Sequence, residues 1–331
     1  MPQFQSILII QTAFIGDVIL ATGLIEKLHQ HYPEAKIDFL LRKGNEGLLA
    51  NHPLLRSVLI WDKKQSKISN LLKIISQVRA NRYDCLINVH RFASSGFITG
   101  FSNAKIKIGF DKNPLSFFFN KKIRHEIGSK HEVQRNHQLI EELTDSQFAK
   151  PKLYPSAADF EKVNSYKKGK YICIAPTSVW FTKQLPAEKW IDFLRSIKNR
   201  FTAIYLLGAP SDNHICESIR LAAGSNEIQN LSGKLSFLES AALMKDAEMN
   251  LVNDSAPMHM ASAINAPVTA VYCSTVPSFG FGPLSDKSFV VETKEKLDCR
   301  PCGLHGYKDC PQGHFKCAYT ILNEQMAGVL E

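Results

Sequence analysis

Short apolar runs alternate with longer amphipathic segments along the whole chain. The first run, residues 7–10, is followed by a loop at residues 11–17 and then by apolar residues at helical spacing over residues 18–28. A second apolar run occupies residues 37–41. Strand, loop, helix and strand in this order predict the opening of a doubly wound α/β domain.

The same alternation continues through the N-terminal half. It predicts a helix at 44–51, a strand at 58–61, a helix at 68–81 and a strand at 85–89. Residues 90–137 are predicted to be more irregular, with a short strand at 105–110, and a helix is predicted over residues 131–143.

Composition changes at residues 144–170, where Pro, Ser and Lys predict a polar connector. The βα alternation then restarts with a strand at 171–175 and continues to a strand at 268–272. We therefore predict two Rossmann-like doubly wound domains that face a cleft, the first over residues 1–150 and the second over residues 151–331.

Residues 251–272 form the strongest candidate for a ligand site. An apolar strand ends at Asn253-Asp254, and a helix follows that opens with Ser255 and carries His259. Because turns from a parallel strand into a helix present free N–H groups and a positive dipole end, such turns bind anions. Ser255 can act as the N-cap of this helix. The alternative is an ordinary capped helix with a semi-buried histidine.

Two further loops carry candidate chemistry. Gly16 would let a ligand approach the backbone, and the Asp17 carboxylate could take a proton from a hydroxyl, unless it only caps its helix. The loop at 175–186 contains two hydroxyl residues and Lys183, which suit the oxygens of a pyrophosphate. The sequence contains neither a G-x-G-x-x-G dinucleotide motif nor a P-loop motif.

The 331 residues carry a formal net charge of +9, which suggests affinity for nucleotides, nucleic acid or an anionic membrane surface. The charge is spread in short clusters without a nucleic-acid-binding motif, so we expect no nucleic-acid partner. A basic, His-containing tract at residues 124–137 could bind an acidic acceptor, and a solvated loop is the alternative. No apolar run is long enough to cross a membrane, and residues 1–10 lack signal-peptide features, so we expect a cytoplasmic protein.

Taken together, these stretches resemble glycosyltransferase family 9, the bacterial lipopolysaccharide heptosyltransferases and their relatives. The matching segments are I-G-D-V-I-L, T-S-V-W-F-T-K-Q-L-P, L-L-G-A-P-S-D, L-S-G-K-L-S-F-L-E-S-A-A-L-M, N-D-S-A-P-M-H-M-A-S-A and C-S-T-V-P-S-F-G-F-G-P-L-S. Their order and spacing extend over nearly the whole chain, and they look most similar to the heptosyltransferase II branch.

The resemblance implies an enzyme of the GT-B fold that binds its acceptor on the N-terminal domain and a nucleotide-sugar on the C-terminal domain. The implied reaction is an inverting, metal-independent transfer of a heptose, or a related sugar, from an ADP-sugar to a hydroxyl of a lipid-linked saccharide. No cofactor is expected, and peripheral contact with the cytoplasmic face of the inner membrane would run through the basic tract.

The resemblance also assigns roles to individual residues. Asp17 matches the catalytic base, and Lys183 matches the lysine that stabilises the departing diphosphate. The residues that it implies for substrate binding are Gly16, Thr177, Ser178, Asp212, Asp254, Ser255, Ala256 and His259.

Two residues depart from the family pattern. Ala256 stands where a glycine is usual, and its side chain is expected to restrict a glycine-like turn. Gln11 stands where an arginine is frequent, which removes an expected contact to an anionic acceptor.

Four cysteines cluster near the C-terminal end of the chain, at Cys299, Cys302, Cys310 and Cys317. One C-x-x-C pair with two further thiols could form a structural zinc site, while packing cysteines are the alternative. Two other functions of the same fold stay open, namely a catalytically silent protein that binds sugar nucleotides or glycans and a nucleotide-sugar epimerase.

Overall fold

Two parallel β-sheets hold the apolar runs of the sequence in the computed structural model, which describes residues 3–128 and 130–330. The chain divides into two units, one ending at Tyr154 and the next beginning at Pro155. Residues 151–154 belong to the first unit because the Lys152 N–H donates to Thr22 Oγ1 (2.9 Å) and the Tyr154 hydroxyl donates to Glu26 (2.7 Å). The outer bounds of the two predicted domains, residues 1 and 331, lie outside the described residues.

The described residues of the N-terminal unit form six strands and four α-helices. In chain order they are β1 (Ser6–Ile10), α1 (Ile15–His31), β2 (Lys36–Arg42), β3 (Leu55–Trp61), α2 (Lys67–Ala80), β4 (Cys85–Asn88), α3 (Ala93–Gly100), β5 (Ile106–Phe110), β6 (Lys121–Ile123) and α4 (Glu132–Gln138). All strand pairs are parallel, and the order across the sheet is β3-β2-β1-β4-β5-β6.

The C-terminal unit repeats this architecture. Its elements are α5 (Ala157–Val163), β7 (Tyr171–Ala175), α6 (Ala187–Ser196), β8 (Ala203–Leu206), α7 (Asn213–Ala223), β9 (Ile228–Asn230), α8 (Phe237–Lys245), β10 (Met249–Asn253), α9 (Ala256–Ala263), β11 (Val268–Tyr272), β12 (Ser288–Glu292), α10 (Lys316–Tyr319) and α11 (Asn323–Ala327). The strand order β12-β11-β10-β7-β8-β9 is the same order as in the first sheet once each sheet is numbered from its own first strand.

The prediction of two doubly wound, Rossmann-like units is therefore confirmed. Strands covered by helices on both faces read as continuous apolar runs, which explains why β1 and β11 stood out in the sequence. Residues 7–10 are fully buried, and so is all of β11. Each unit has its own core, formed where the helices pack on its sheet.

Several predicted elements were wrong in detail. The predicted helix at 44–51 is only a 3-10 turn, Glu46–Leu48. The region predicted to be irregular contains α3 and β6, and the predicted connector contains α5. Small and β-branched residues give α3 a weak intrinsic helix preference, so it depends on tertiary packing, including the burial of Ile98.

Candidate active site

The strand order of each sheet reverses once, between β1 and β4 in the N-terminal unit and between β7 and β10 in the C-terminal unit. In doubly wound folds, ligands bind at this point, outside the carboxyl ends of the strands. The loops and helix starts that follow these four strands contain Asp17, Arg91, Lys183 and Asp254. Both candidate catalytic residues therefore lie at the position where the fold favours a ligand.

Asp17 lies in the first turn of α1, which begins at Ile15 and not after Asp17 as predicted. Its Oδ2 accepts a hydrogen bond from the Phe14 N–H (3.1 Å), so the carboxylate does cap its helix. The pKa of Asp17 is nevertheless raised to about 6, mainly because the carboxylate is desolvated and secondly because the Glu132 carboxylate is close. A carboxylate with this pKa is a suitable proton acceptor near neutral pH.

A group of cations surrounds the same end of the first sheet. Lys63 Nζ donates to the Thr12 carbonyl (2.9 Å) and lies 4.7 Å from the centre of the Trp61 ring. Its pKa is lowered to about 8 by burial and by the nearby Arg42. Because burial of a cation costs free energy unless an anion compensates it, this position suits a negatively charged ligand.

His90 lies among these cations, with its Nδ1 3.1 Å from Thr12 Oγ1. Burial, together with the charges of Lys63, Arg91 and Arg42, lowers the pKa of His90 to about 3, so the ring is neutral at physiological pH. Arg91 also reduces the pKa of Asp17, which shows that the cations and the carboxylate belong to one site.

The structure adds detail at two residues of this end of the chain, Gly16 and Gln11. Gly16 lies in the first turn of α1 and has no positive φ, so its backbone conformation does not require glycine. Gln11 is buried, and its Oε1 accepts from the Ala13 N–H (3.2 Å), so it has a local structural contact. The neighbouring Arg42, Lys63 and Arg91 supply the positive charge that an arginine at position 11 would bring.

In the C-terminal unit, Lys183 and Asp254 form a mostly buried ion pair, with Nζ 2.7 Å from Oδ2. The same carboxylate oxygen accepts a hydrogen bond from the Thr275 hydroxyl (2.6 Å). These three residues follow β7, β10 and β11, which are neighbours in the sheet. The pair fixes the ammonium group of Lys183 beside the start of α9.

The loop between β7 and α6 is held in place by a buried side chain. Asn253, the last residue of β10, accepts from the Leu185 N–H (3.0 Å) through its Oδ1 and makes long contacts of 3.5 Å to the carbonyls of Ala175 and Thr177. Thr177 and Ser178 are half-buried in this loop, upstream of Lys183. Asn253 thus connects strand β10, which Asp254 follows, to the loop that contains the candidate phosphate-binding residues Thr177 and Ser178.

The start of α9 differs from the prediction in two respects. Ser255 occupies the N-cap position, but its hydroxyl donates to the Asn253 carbonyl (3.3 Å) and does not cap the helix. Ala256 is the first residue of α9 and has no positive φ, so the expected strain of an alanine at this turn is absent. His259 is buried in the next turn, with its ring 6.4 Å from that of Phe281.

The C-terminal tail supports the same loop by hydrogen bonds that the sequence did not reveal. The Tyr307 N–H donates to Thr182 Oγ1 (2.8 Å), which also accepts from the Ser274 hydroxyl (3.0 Å). Arg300 donates through Nε to the Cys273 carbonyl (2.7 Å) and through its second terminal nitrogen to the Thr275 carbonyl (2.8 Å). The tail therefore connects the loops that carry Lys183 and Thr275.

The four tail cysteines have free thiols. Cys302 Sγ donates to the Cys299 carbonyl (3.0 Å), and Cys317 is buried in the core of the C-terminal unit. Over residues 3–128 and 130–330, no group of three or more His, Cys, Asp or Glu side chains is arranged to hold a metal ion.

The remaining candidates lie apart from these clusters or have structural partners. The Asp212 Oδ2 accepts from the Ala209 N–H (2.7 Å) at the start of α7, so this oxygen closes a local turn. In the basic tract, His125, Arg135 and His137 are buried, and Arg135 pairs with Glu132 (2.6 Å). These three side chains of the tract are therefore not solvated, in contrast to the alternative of a solvated loop.

No sequence motif pointed to Arg42, Lys63, His90 or Arg91 as site residues. Each of them closes or follows a strand at the carboxyl edge of the first sheet, which was the available signal. None belongs to a recognisable motif, and their proximity depends on the strand order.

Comparison with known proteins was consistent with these observations. The family model described as "Glycosyltransferase family 9 (heptosyltransferase)" matches residues 71–305. "Lipopolysaccharide heptosyltransferase 3" of Escherichia coli is 27% identical over 277 residues, which cover 79% of this chain and 82% of that protein.

Two solved structures share the fold. A glycosyl transferase of family 9 from Veillonella parvula superposes with a TM-score of 0.84 at 22% identity, covering 98% of this chain and 97% of that one. The E. coli heptosyltransferase WaaC with ADP-2-deoxy-2-fluoro heptose superposes with a TM-score of 0.72 at 20% identity, covering 87% and 93% of the two chains.

Proposed function

The chain belongs to glycosyltransferase family 9, and we propose that it transfers a heptose from ADP-heptose to a hydroxyl of a lipid-linked saccharide of the lipopolysaccharide core. The donor is suggested by the solved relative that carries an ADP-heptose analogue. The acceptor class is suggested by the name of the E. coli relative, a lipopolysaccharide heptosyltransferase.

The observation that carries the proposal is the buried Lys183–Asp254 pair beside the start of α9. Lys183 has three N–H donors, of which Asp254 uses one, so the ammonium group can also bind a diphosphate oxygen. The N-terminal end of α9 adds a positive dipole end. Thr177 and Ser178 supply hydroxyl donors from the preceding loop.

The proposed reaction is a single displacement. The acceptor oxygen bonds to the anomeric carbon of the heptose while the bond from this carbon to the diphosphate oxygen breaks. The acceptor proton passes to Asp17, and the electron pair of the broken bond leaves with ADP. Because the nucleophile attacks from the side opposite to the leaving group, the configuration at the anomeric carbon inverts.

Negative charge develops on ADP as it leaves, and Lys183 with the α9 N-terminus would stabilise it electrostatically. We therefore propose that the transfer proceeds without a catalytic metal ion. Residues Asp254 and Thr275 position Lys183 for this role.

Arg42, Lys63 and Arg91 support an anionic acceptor. They lie around the site of Asp17, and Lys63 already has a lowered pKa because it is buried near another cation. Phosphate or carboxylate groups on the acceptor saccharide would neutralise this excess of positive charge and place the acceptor hydroxyl near the base. We further propose that the reaction takes place at the cytoplasmic face of the inner membrane, where a lipid-linked acceptor would be anchored.

The direct test combines the purified protein with ADP-heptose and a heptose-deficient lipopolysaccharide core in the presence of EDTA. Formation of ADP is followed over time, and the anomeric configuration of the product is determined by NMR. We expect transfer with inversion. Asp17→Ala should abolish transfer while ADP-heptose affinity, measured by calorimetry, stays nearly unchanged, and exposed Glu34→Ala serves as the matched control.

Each alternative result has a defined meaning. Unchanged turnover in Asp17→Ala removes Asp17 from its role, and loss of activity in EDTA that added metal restores contradicts metal independence. Donor binding without product from any core acceptor would indicate a silent binding protein. Release of an isomerised nucleotide-sugar without an acceptor would indicate an epimerase.

A further inference from the structure

Part of the helical layer on the N-terminal unit exposes aromatic side chains where a soluble surface is usually polar. Phe97 and Phe101 on and after α3 stack with ring centres 6.2 Å apart, Phe101 lies 5.8 Å from Phe118, and Phe118 lies 4.4 Å from Phe117. These four side chains are 40% to 64% exposed. Together they expose on the order of 400 Å² of aromatic surface, a patch size that is often functional on monomeric proteins.

The cluster has a fixed geometry. The Phe118 ring packs against Gly100, where a Cβ atom would lie 2.9 Å from the ring. The neighbouring helix α2 packs on α3 and exposes two more apolar side chains, Ile68 and Leu72, one helical turn apart. We call these six side chains, together with Lys67, Lys73, Arg79 and Lys107, the aromatic–basic face.

Two cations lie at the end of α3, beside the aromatic cluster. Arg79 donates to the Phe101 carbonyl (3.0 Å), and Lys107 donates to the Gly100 carbonyl (3.2 Å), so both charges lie at the end of α3. Helix α2 carries exposed Lys67 and Lys73 and contains no acidic residue. Even without Lys63 and Arg91, which are assigned to the acceptor, residues 63–124 contain eleven lysines and arginines and two aspartates, a net charge of +9.

We propose that the aromatic–basic face docks on the surface of an anionic phospholipid bilayer. Aromatic side chains flanked by lysine and arginine favour the boundary between headgroups and acyl chains, and each basic residue near an anionic surface adds attraction. A second copy of the chain is a poorer occupant because a symmetric contact would bring two basic surfaces together. The face lies on the helical layer and not at the carboxyl edge of the sheet, so it is separate from the residues assigned to the acceptor.

The experiment measures co-sedimentation of the full chain with vesicles of phosphatidylcholine alone or with phosphatidylglycerol, without donor or acceptor. We expect binding to the anionic vesicles that weakens as salt rises. Phe117→Ser should weaken partitioning about tenfold, and Lys73→Ala about fivefold. The matched controls are Leu221→Ser and Lys198→Ala on the C-terminal unit, since Leu221 is 63% exposed and Phe117 is 64% exposed.

Several results would overturn the proposal. The first is no binding to anionic vesicles, or binding only when the vesicles contain a core glycolipid. The second is a loss of vesicle binding in the control variants equal to that in Phe117→Ser and Lys73→Ala. The third is a concentration-dependent dimer that Phe117→Ser abolishes, without any vesicle binding. The membrane-docking proposal rests on the proposed function, but different results contradict the two. Phe117→Ser should transfer heptose normally to a delipidated, water-soluble acceptor, so vesicle binding without any transfer would contradict only the proposed function.

Discussion

The pH dependence of the transfer tests the role of Asp17 most sharply. A base must be ionised, and with a pKa of about 6 Asp17 is roughly nine-tenths ionised at pH 7 but only about one-tenth ionised at pH 5. We therefore expect kcat/KM for ADP formation to fall about tenfold between pH 7 and pH 5. A carboxylate with an ordinary pKa would stay almost fully ionised over this range.

Two neighbouring groups, His90 and Lys63, titrate outside this window. The pKa of His90 is lowered to about 3, that of His125 is lowered as well, and that of Lys63 is about 8. Arg91 lowers the pKa of Asp17, so Arg91→Gln should move the acidic limb of the profile above pH 6. A wild-type limb near pH 4, or a limb that Arg91→Gln leaves in place or moves downward, would refute the reasoning.

The same pKa shift predicts a change in stability. Because the pKa in the folded state lies above the unfolded value of 3.8, the proton binds more tightly to the folded chain. The contribution to the free energy of unfolding is fully present below about pH 4 and is lost as the pH rises through about 6. Asp17→Asn should therefore exceed wild type in stability at pH 7 by about 1 to 2 kcal/mol, allowing for partial exposure, and the gap should close near pH 4 in urea titrations.

The remaining predictions concern the C-terminal unit. Lys183→Ala should reduce turnover by a factor of about 10² to 10³. It should also lower the melting temperature, because Asp254 is then buried without its partner Lys183. The double variant with Asp254→Asn should regain the melting temperature but not the turnover. Ala256→Gly should leave the KM for ADP-heptose unchanged, because Ala256 already has a helical backbone, and a clearly lower KM would contradict this. Thr182→Val should lower the free energy of unfolding by about 1 to 3 kcal/mol and raise the KM for ADP-heptose, because the Tyr307 N–H loses its acceptor. An unchanged KM would show that the tail does not position the loop of Lys183.

Much of the fold was predictable because it depends on local pattern. The strand at 268–272 was predicted with its observed bounds, since a fully buried parallel strand is a short apolar run. Helix α3 was not predictable in the same way, because its helix preference is weak and its stability comes from packing. The extent of α4 was also overestimated, since the chain leaves the helix after Gln138.

Some residues of the candidate site were identified in the sequence, but their arrangement was not. Lys183 and Asp254 were each identified in the sequence, yet their ion pair exists because β7 and β10 are neighbours in the sheet. The same adjacency of β1 and β4 brings Arg91 close enough to affect the pKa of Asp17. Long-range strand pairing of this kind leaves no mark in a local motif.

The four cysteines are the most conspicuous feature of the tail in the sequence, but other atoms make its hydrogen bonds to the loops of Lys183 and Thr275. Its contacts to the loops of Lys183 and Thr275 are made by backbone groups and Arg300, since the Cys302 N–H donates to the Ser274 carbonyl (2.9 Å) and the Thr182 N–H donates to the Tyr307 carbonyl (3.1 Å). Gly306 approaches Thr182 so closely that a Cβ atom would lie 2.9 Å from its Oγ1. The tail thus fixes the loop of Lys183 through hydrogen bonds and close backbone packing.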